Sequence, residues 1–284
     1  MTDYMELKKP LVEAQWLKDN LGVSNIIIID ATLPKAVAKD TEPMVDKVQI
    51  PGARFLDIKG KFSQVGAPFP NTMLDANAFN KAAKELGIDN DSALVVYDAH
   101  GIYSSARAWW MFRSMGHKNV AVLNGGLKSW MQKGYSVEPS GTGPYTPGNF
   151  IGNFNEGYFK DSRQVLDTIS NAKELVVDAR ANDRFKGLVE EPREGLRSGH
   201  IPGSVSLPYA DLMKDEKLLD KNQLSAIFED RLPKTEKMIF SCGSGVTACI
   251  LALGAEIAGI ENISVYDGSW TEWGSKHELP IEKG

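Results

Sequence analysis

The sequence predicts two tandem α/β domains, each a mainly parallel sheet with helices on both faces. Three observations lead there: an internal repeat, a Pro/Gly-rich break at its midpoint, and short β-branched runs alternating with helical periods in each half. The repeat consists of signals that come twice in the same order. Ile26–Asp30 runs into Ala31, and Leu175–Asp178 runs into Ala179 and Arg180. Ile50-Pro51-Gly52-Ala53 returns as Ile201-Pro202-Gly203-Ser204, and Val95-Val96-Tyr97 returns as Met238-Ile239-Phe240. Leu123-Asn124-Gly125-Gly126-Leu127-Lys128-Ser129-Trp130 returns as Tyr266-Asp267-Gly268-Ser269-Trp270-Thr271-Glu272-Trp273. The last two pairs share one offset of 143 residues, from 95 to 238 and from 123 to 266.

In chain order, Ile26–Ile29 has the length of a buried strand. Asp75 is expected to cap a helix that stops at Gly87, and Ser104 one that stops at Gly116. Such side chains accept from the free N–H groups of a helix start, and glycine takes the left-handed turn at its end. Pro139–Gly148 holds three Pro and three Gly in ten residues. It can sustain neither a helix nor a central strand, so it reads as a linker. The chain divides on this reading into a first domain over 1–138, a linker over 139–154 and a second domain over 155–284. Within the second, the strand Met238–Ser241 meets Cys242-Gly243-Ser244-Gly245-Val246-Thr247, and a helix follows through Ala248, Ile250, Leu251, Leu253 and Ala255.

Composition removes several classes. With 284 residues, 42% hydrophobic and 24% charged, the chain has apolar residues enough for two cores, which excludes disorder. A net charge of −5 with mixed signs lacks the basic face that nucleic acid requires. No apolar run approaches the roughly 20 residues that span a bilayer. The start, MTDYMELKKPLVEAQW, has neither an apolar h-region nor a small-residue cleavage site, so the sequence reads as cytoplasmic. Cys242 and Cys249 alone make no disulfide framework. No His/Cys/Asp cluster has ligand spacing, and neither a metal nor an organic cofactor is expected.

The chemistry concentrates at Cys242. A strand, a tight Gly-containing loop and a helix start place the loop at the carboxyl edge of the sheet, where α/β sites lie. Two glycines let successive N–H groups turn inward as an anion nest, and the helix start adds positive potential. A cysteine there is expected to carry appreciable thiolate at neutral pH and to act as a nucleophile. Cys249 lies two helical turns on amid apolar neighbours, and reads as core. At the same 143-residue offset the first half has Ala99-His100-Gly101-Ile102-Tyr103-Ser104. Alanine in place of the nucleophile leaves the first domain a supporting role. Arg107, on the helix after this loop, reads equally as an internal ion-pair partner.

The loop from Cys242 to Thr247 resembles the active loop of the 3-mercaptopyruvate sulfurtransferases within the tandem rhodanese family. The resemblance extends to Gly199-His200-Ile201-Pro202-Gly203, the run from Asp178 to Arg184-Phe185, Glu191-Pro192-Arg193, and the ending Tyr266-Asp267-Gly268-Ser269-Trp270-Thr271-Glu272-Trp273-Gly274. It implies two rhodanese-like domains, the first inactive and the second active. It implies that Cys242 accepts sulfur, that Arg184 and Arg193 hold the carboxylate and carbonyl oxygens of the substrate, and that Gly243, Ser244, Gly245, Val246 and Thr247 line it. A guanidinium fork suits a carboxylate and stays charged at any working pH. Sulfane sulfur then passes from 3-mercaptopyruvate through a Cys242 persulfide to a thioredoxin-like thiol or cyanide, and pyruvate is released. Thiosulfate-type members carry basic residues directly after the cysteine; the uncharged Gly243 and Ser244 favour the singly charged mercaptopyruvate.

Two departures from the family stand out. Its Gly-His-Ile-Pro-Gly is Val48-Gln49-Ile50-Pro51-Gly52 in the first half. The Asp and His proposed in some animal members to relay protons with the loop serine align with Lys59 and Thr72, so no such relay is expected, and Asp57 nearby reads as structural. The alternatives are a thiosulfate:cyanide sulfurtransferase and a non-catalytic sulfur carrier or binding module. A phosphatase of related fold needs an arginine closing the loop on phosphate oxygens, and positions 248 and 249 are Ala and Cys.

Overall fold

The β-branched runs form strands, and their pairing defines two sheets. Ile26–Asp30 runs parallel to Ala93–Tyr97, with Ile26 opposite Ala93 and Asp30 opposite Tyr97. Around this pair the strand order is Leu11–Val12, Val120–Leu123, Ala93–Tyr97, Ile26–Asp30, Arg54–Phe55. Every neighbour is parallel. The second sheet repeats the order as Phe159–Lys160, Ile263–Tyr266, Lys237–Ser241, Glu174–Asp178, Val205–Ser206, again all parallel. The two sheets share the predicted fold class and one topology. This computed structural model describes residues 4–34, 48–141, 143–171 and 173–284. Thr142 of the predicted linker therefore lies outside the described residues.

The chain forms two units. The first takes the residues up to Val65, Met73–Asn155 and Asp215–Lys217; the second takes Gly66–Thr72, Glu156–Lys214 and Leu218–Gly284. In the first, every residue of Ala93–Tyr97 is buried. Val95 and Tyr97 face a cluster with Leu17, Leu127 and Trp130. Leu94 and Val96 point the other way, as strand alternation demands, and the helix Ser105–Ser114 packs on this strand. A sheet covered on both faces explains the unbroken apolar runs. In the second unit, Val176, Ile239 and Tyr266 pack with Val165, Ile201, Trp270 and Trp273. Each such fully buried aliphatic or aromatic side chain contributes about 1.5–3 kcal/mol.

The expected cap at Asp75 is present: its side chain accepts from Ala78 N at the start of Ala76–Glu85. Ser104 behaves differently. It has helical φ/ψ and makes no side-chain cap bond; its Oγ accepts instead from Leu33 N at 3.1 Å. The start of that helix is satisfied from the end of the preceding strand by Asp98. The stretch read as a linker is tied down over its second half. Gly148 N donates to Lys84 O and Phe150 N to Ile88 O. The Phe150 ring joins Phe79, Phe112 and His117. A Cβ on Gly148 would stand 2.1 Å from Ile88 O, so only glycine fits there. Among the described residues, no helix is long and apolar enough to cross a membrane.

Candidate active site

Lys237–Ser241 lies at the centre of its sheet and ends at Ser241, so Cys242 is the first residue past the strand. The helix Ala248–Ala258 follows the loop, buried from Ala248 to Ala255. Its start has no side-chain cap. Gly245 has φ +72°, the left-handed turn that lets the loop reverse into the helix. Gly243 has no positive φ. A Cβ there would stand 3.3 Å from Arg184 Nη2.

Cys242 is 1% exposed. Its N–H donates to Ser269 Oγ at 3.1 Å, and Ser269 Oγ lies 3.9 Å from the Cys242 sulfur. Ser269 also donates to Tyr266 O at 2.8 Å and has φ +48°. Trp270 N donates to Cys242 O and Thr271 N to Gly243 O, both at 2.9 Å. The helix Ser269–Ser275 therefore holds the first two residues of the loop by their carbonyls. Thr271 Oγ1 adds a bond of 2.6 Å to Gly243 O and accepts from Arg193 Nη1 at 3.0 Å. Arg193 is thereby brought to the loop through Thr271, and Arg184 reaches it directly at Gly243.

Arg184 is held from behind. Its Nη2 donates to Glu191 Oε2 at 2.5 Å, and Glu191 also takes Arg180 Nη1 at 2.8 Å. Arg180 forms a fork with Asp178 and donates to Gly199 O at 2.7 Å. Its guanidinium lies 4.3 Å from the centre of the Trp270 ring. Burial works against the Arg180 charge, but the carboxylates of Asp178 and Glu191 outweigh it and leave the group above its ordinary range. A buried charge network of this kind adds little net stability, yet removing one member leaves the others unpaired.

The structure brings Cys242, Gly243, Ser244, Arg184 and Arg193 together. Val246 is buried, while Thr247 is half-buried at the helix start. Cys249 is fully buried, and its thiol donates to Gly245 O at 3.3 Å, consistent with a core residue that ties the helix to the loop. Asp57 closes a local turn, accepting from Gly60 N. Thr72, which aligns with the relay position, makes no bond to Ser244 among the described residues. Thr72 Oγ1 turns to Phe69 O, and its neighbour Asn71 meets Ser244 instead, donating from Nδ2 to the carbonyl at 3.2 Å and to Oγ at 3.3 Å. Sequence reasoning missed Ser269, Arg180 and Asn71. Arg180 left a trace as the Asp-Ala-Arg that closes the strand Glu174–Asp178, and Ser269 as part of the repeated Tyr266–Trp273 run, while Asn71 left none.

The rhodanese-like domain family matches the chain twice, over residues 13–133 and 161–276. The 3-mercaptopyruvate sulfurtransferase of Escherichia coli K12 is 37% identical over 275 residues, covering 95% of this chain and 97% of the relative. The thiosulfate sulfurtransferase of Mus musculus is 36% identical, covering 94% of this chain and 92% of the relative. Among solved structures, SseA from Escherichia coli, described with the rhodanese fold of the 3-mercaptopyruvate sulfotransferases, superposes with a TM-score of 0.81. It is 33% identical, over 93% of this chain and 99% of the other.

Proposed function

The chain belongs to the rhodanese-like family and is a sulfurtransferase, and from that premise we propose that its second unit moves sulfane sulfur from 3-mercaptopyruvate to a thiol acceptor or cyanide. The observation that carries this reading is the convergence of two guanidinium groups on the loop of one buried cysteine. Arg184 stands against Gly243, and Arg193 reaches the Gly243 carbonyl through Thr271.

The Cys242 thiolate attacks the sulfur of 3-mercaptopyruvate. The S–C bond breaks, its electron pair leaves with pyruvate enolate, and the enolate is then protonated to pyruvate. Arg184 and Arg193 hold the substrate's carboxylate and carbonyl oxygens, while Gly243, Ser244, Gly245, Val246 and Thr247 surround the transferred sulfur. The persulfide rests in the loop until a thioredoxin-like thiol or cyanide removes its outer sulfur. Splitting the transfer into two displacements is nucleophilic catalysis. Arginine suits the donor's carboxylate because its fork offers two parallel charge-assisted bonds.

Thiosulfate is the second donor, favoured by the name of the mouse relative. It brings two negative charges to a loop whose residues after Cys242 are uncharged. A side-by-side assay of both donors with cyanide as acceptor tests the assignment. Faster turnover with 3-mercaptopyruvate, with pyruvate formed in step, is expected; a preference for thiosulfate overturns the donor.

A further inference from the structure

Asn71 belongs to the short segment Gly66–Thr72 that the second unit takes from the earlier part of the chain. The segment is held locally. Thr72 Oγ1 donates to Phe69 O at 2.8 Å, and the Phe69 ring lies 5.7 Å from Lys276 Nζ. Asn71 has φ +62°, a left-handed conformation that asparagine tolerates better than most residues. The amide that this turn presents donates to both the carbonyl and the hydroxyl oxygen of Ser244. Ser244 is 9% exposed and lies two residues past Cys242.

We propose that Asn71 is a positioning residue for sulfur transfer, acting by fixing the direction of the Ser244 hydroxyl. The proposal rests on the reading of Cys242 as the sulfur carrier. A hydroxyl has one proton and two lone pairs. The Nδ2–H of Asn71 occupies a lone pair and offers no acceptor in return, so the Ser244 proton is directed elsewhere, to the anion that forms as the S–C bond breaks. Donors already aligned on developing charge lower a barrier because they need no rearrangement at the moment of reaction. An amide neither gains nor loses a proton near neutral pH. Ser244 is therefore a fixed hydrogen-bond donor and keeps its proton through the transfer.

Two variants separate direction from mere packing. Asn71→Asp keeps the shape but puts an acceptor behind Ser244, which turns its proton away from the site. Asn71→Gly keeps the left-handed backbone and removes the donor. Steady-state assays with 3-mercaptopyruvate should show kcat lowered about tenfold by Asn71→Gly and further by Asn71→Asp, with KM within about twofold. In a Ser244→Ala background, Asn71→Asp should change kcat by less than about twofold, because the residue it acts through is gone. Either variant at wild-type kcat, or the same loss in both backgrounds, overturns the proposal. Sulfur loading of the wild type is measured alongside. A persulfide on wild-type Cys242 with Asn71→Asp at full speed overturns this inference alone, whereas its absence removes the reading on which the inference stands.

Discussion

The loop after Tyr97 and the loop after Ser241 leave the central strands of two sheets with the same order, and they differ in the residue that stands at their start. In the first unit the Asp98 carboxylate is fully buried and accepts from the N–H groups of His100, Tyr103, Ser104 and Ser105 at 2.8–3.0 Å. The N–H of Ala99 goes to Thr32 Oγ1 at 3.0 Å. The nest is thus occupied by an anion from its own chain. In the second unit the corresponding residue is Ser241, which carries no charge, and its buried Oγ has no hydrogen-bond partner among the described residues. On the proposed reading the first unit lacks the means of sulfur transfer twice over: alanine stands at the nucleophile's position, and the Asp98 carboxylate already holds the N–H groups that an anion would need.

The next element differs in the same sense. Gly126 and Ser269 occupy equivalent positions and share a left-handed backbone, at φ +52° and +48°. A Cβ on Gly126 would stand 2.2 Å from Asp98 O and 2.5 Å from Gly101 O. The loop after Tyr97 lies so close to that position that only glycine fits. At Ser269 the side chain is accommodated, and its hydroxyl takes the Cys242 N–H. A serine in a backbone that favours glycine is a local strain, and it stands beside the proposed nucleophile.

The comparison breaks most visibly at the nucleophile. Cys242→Ser should abolish sulfur transfer from 3-mercaptopyruvate, while Cys249→Ser, altering a thiol turned to Gly245 O, should keep most of it. Equal losses in two folded variants would remove the distinction. The arginines come next. Arg184→Ala and Arg193→Ala should each lose about 1.5–3 kcal/mol of transition-state stabilisation, read as a rise in KM, since each deletes a charge-assisted bond to the carboxylate. Wild-type KM in both would take them out of the site. The smallest effect on activity falls on the loop after Tyr97. Asp98→Asn leaves donors of the nest without their carboxylate and should cost about 1.5–3 kcal/mol of stability, seen in urea unfolding, with activity per folded molecule unchanged. An unaltered midpoint would mean that the nest does not depend on its internal anion.

Much of this was legible in the residues. The repeat exposed the two sheets, and the contrast of Ala99 with Cys242 is what directs the proposal to the second half. Asp98 was not legible, because an acid after an apolar strand looks like an ordinary strand end, and Ser104 looked like the cap. The carboxylate reaches forward across the loop, which only the backbone path reveals. Asn71 was equally hidden, since its partner is 173 positions away in sequence. Arg180 stood among the residues of the resemblance, but its role depends on Glu191 and Trp270 packing over it. Local chemistry reads from sequence; which distant group completes it does not.

The central claim is that one unit alone carries sulfur, on one of two cysteines. Intact-mass spectrometry followed by peptide mapping, after incubation with 3-mercaptopyruvate and no acceptor, tests it directly. The account predicts a single added sulfur on the peptide containing Cys242, retained in Cys249→Ser and removed by a reducing thiol. A sulfur carried on Cys249, or no stable adduct on a protein that still releases pyruvate, would contradict it.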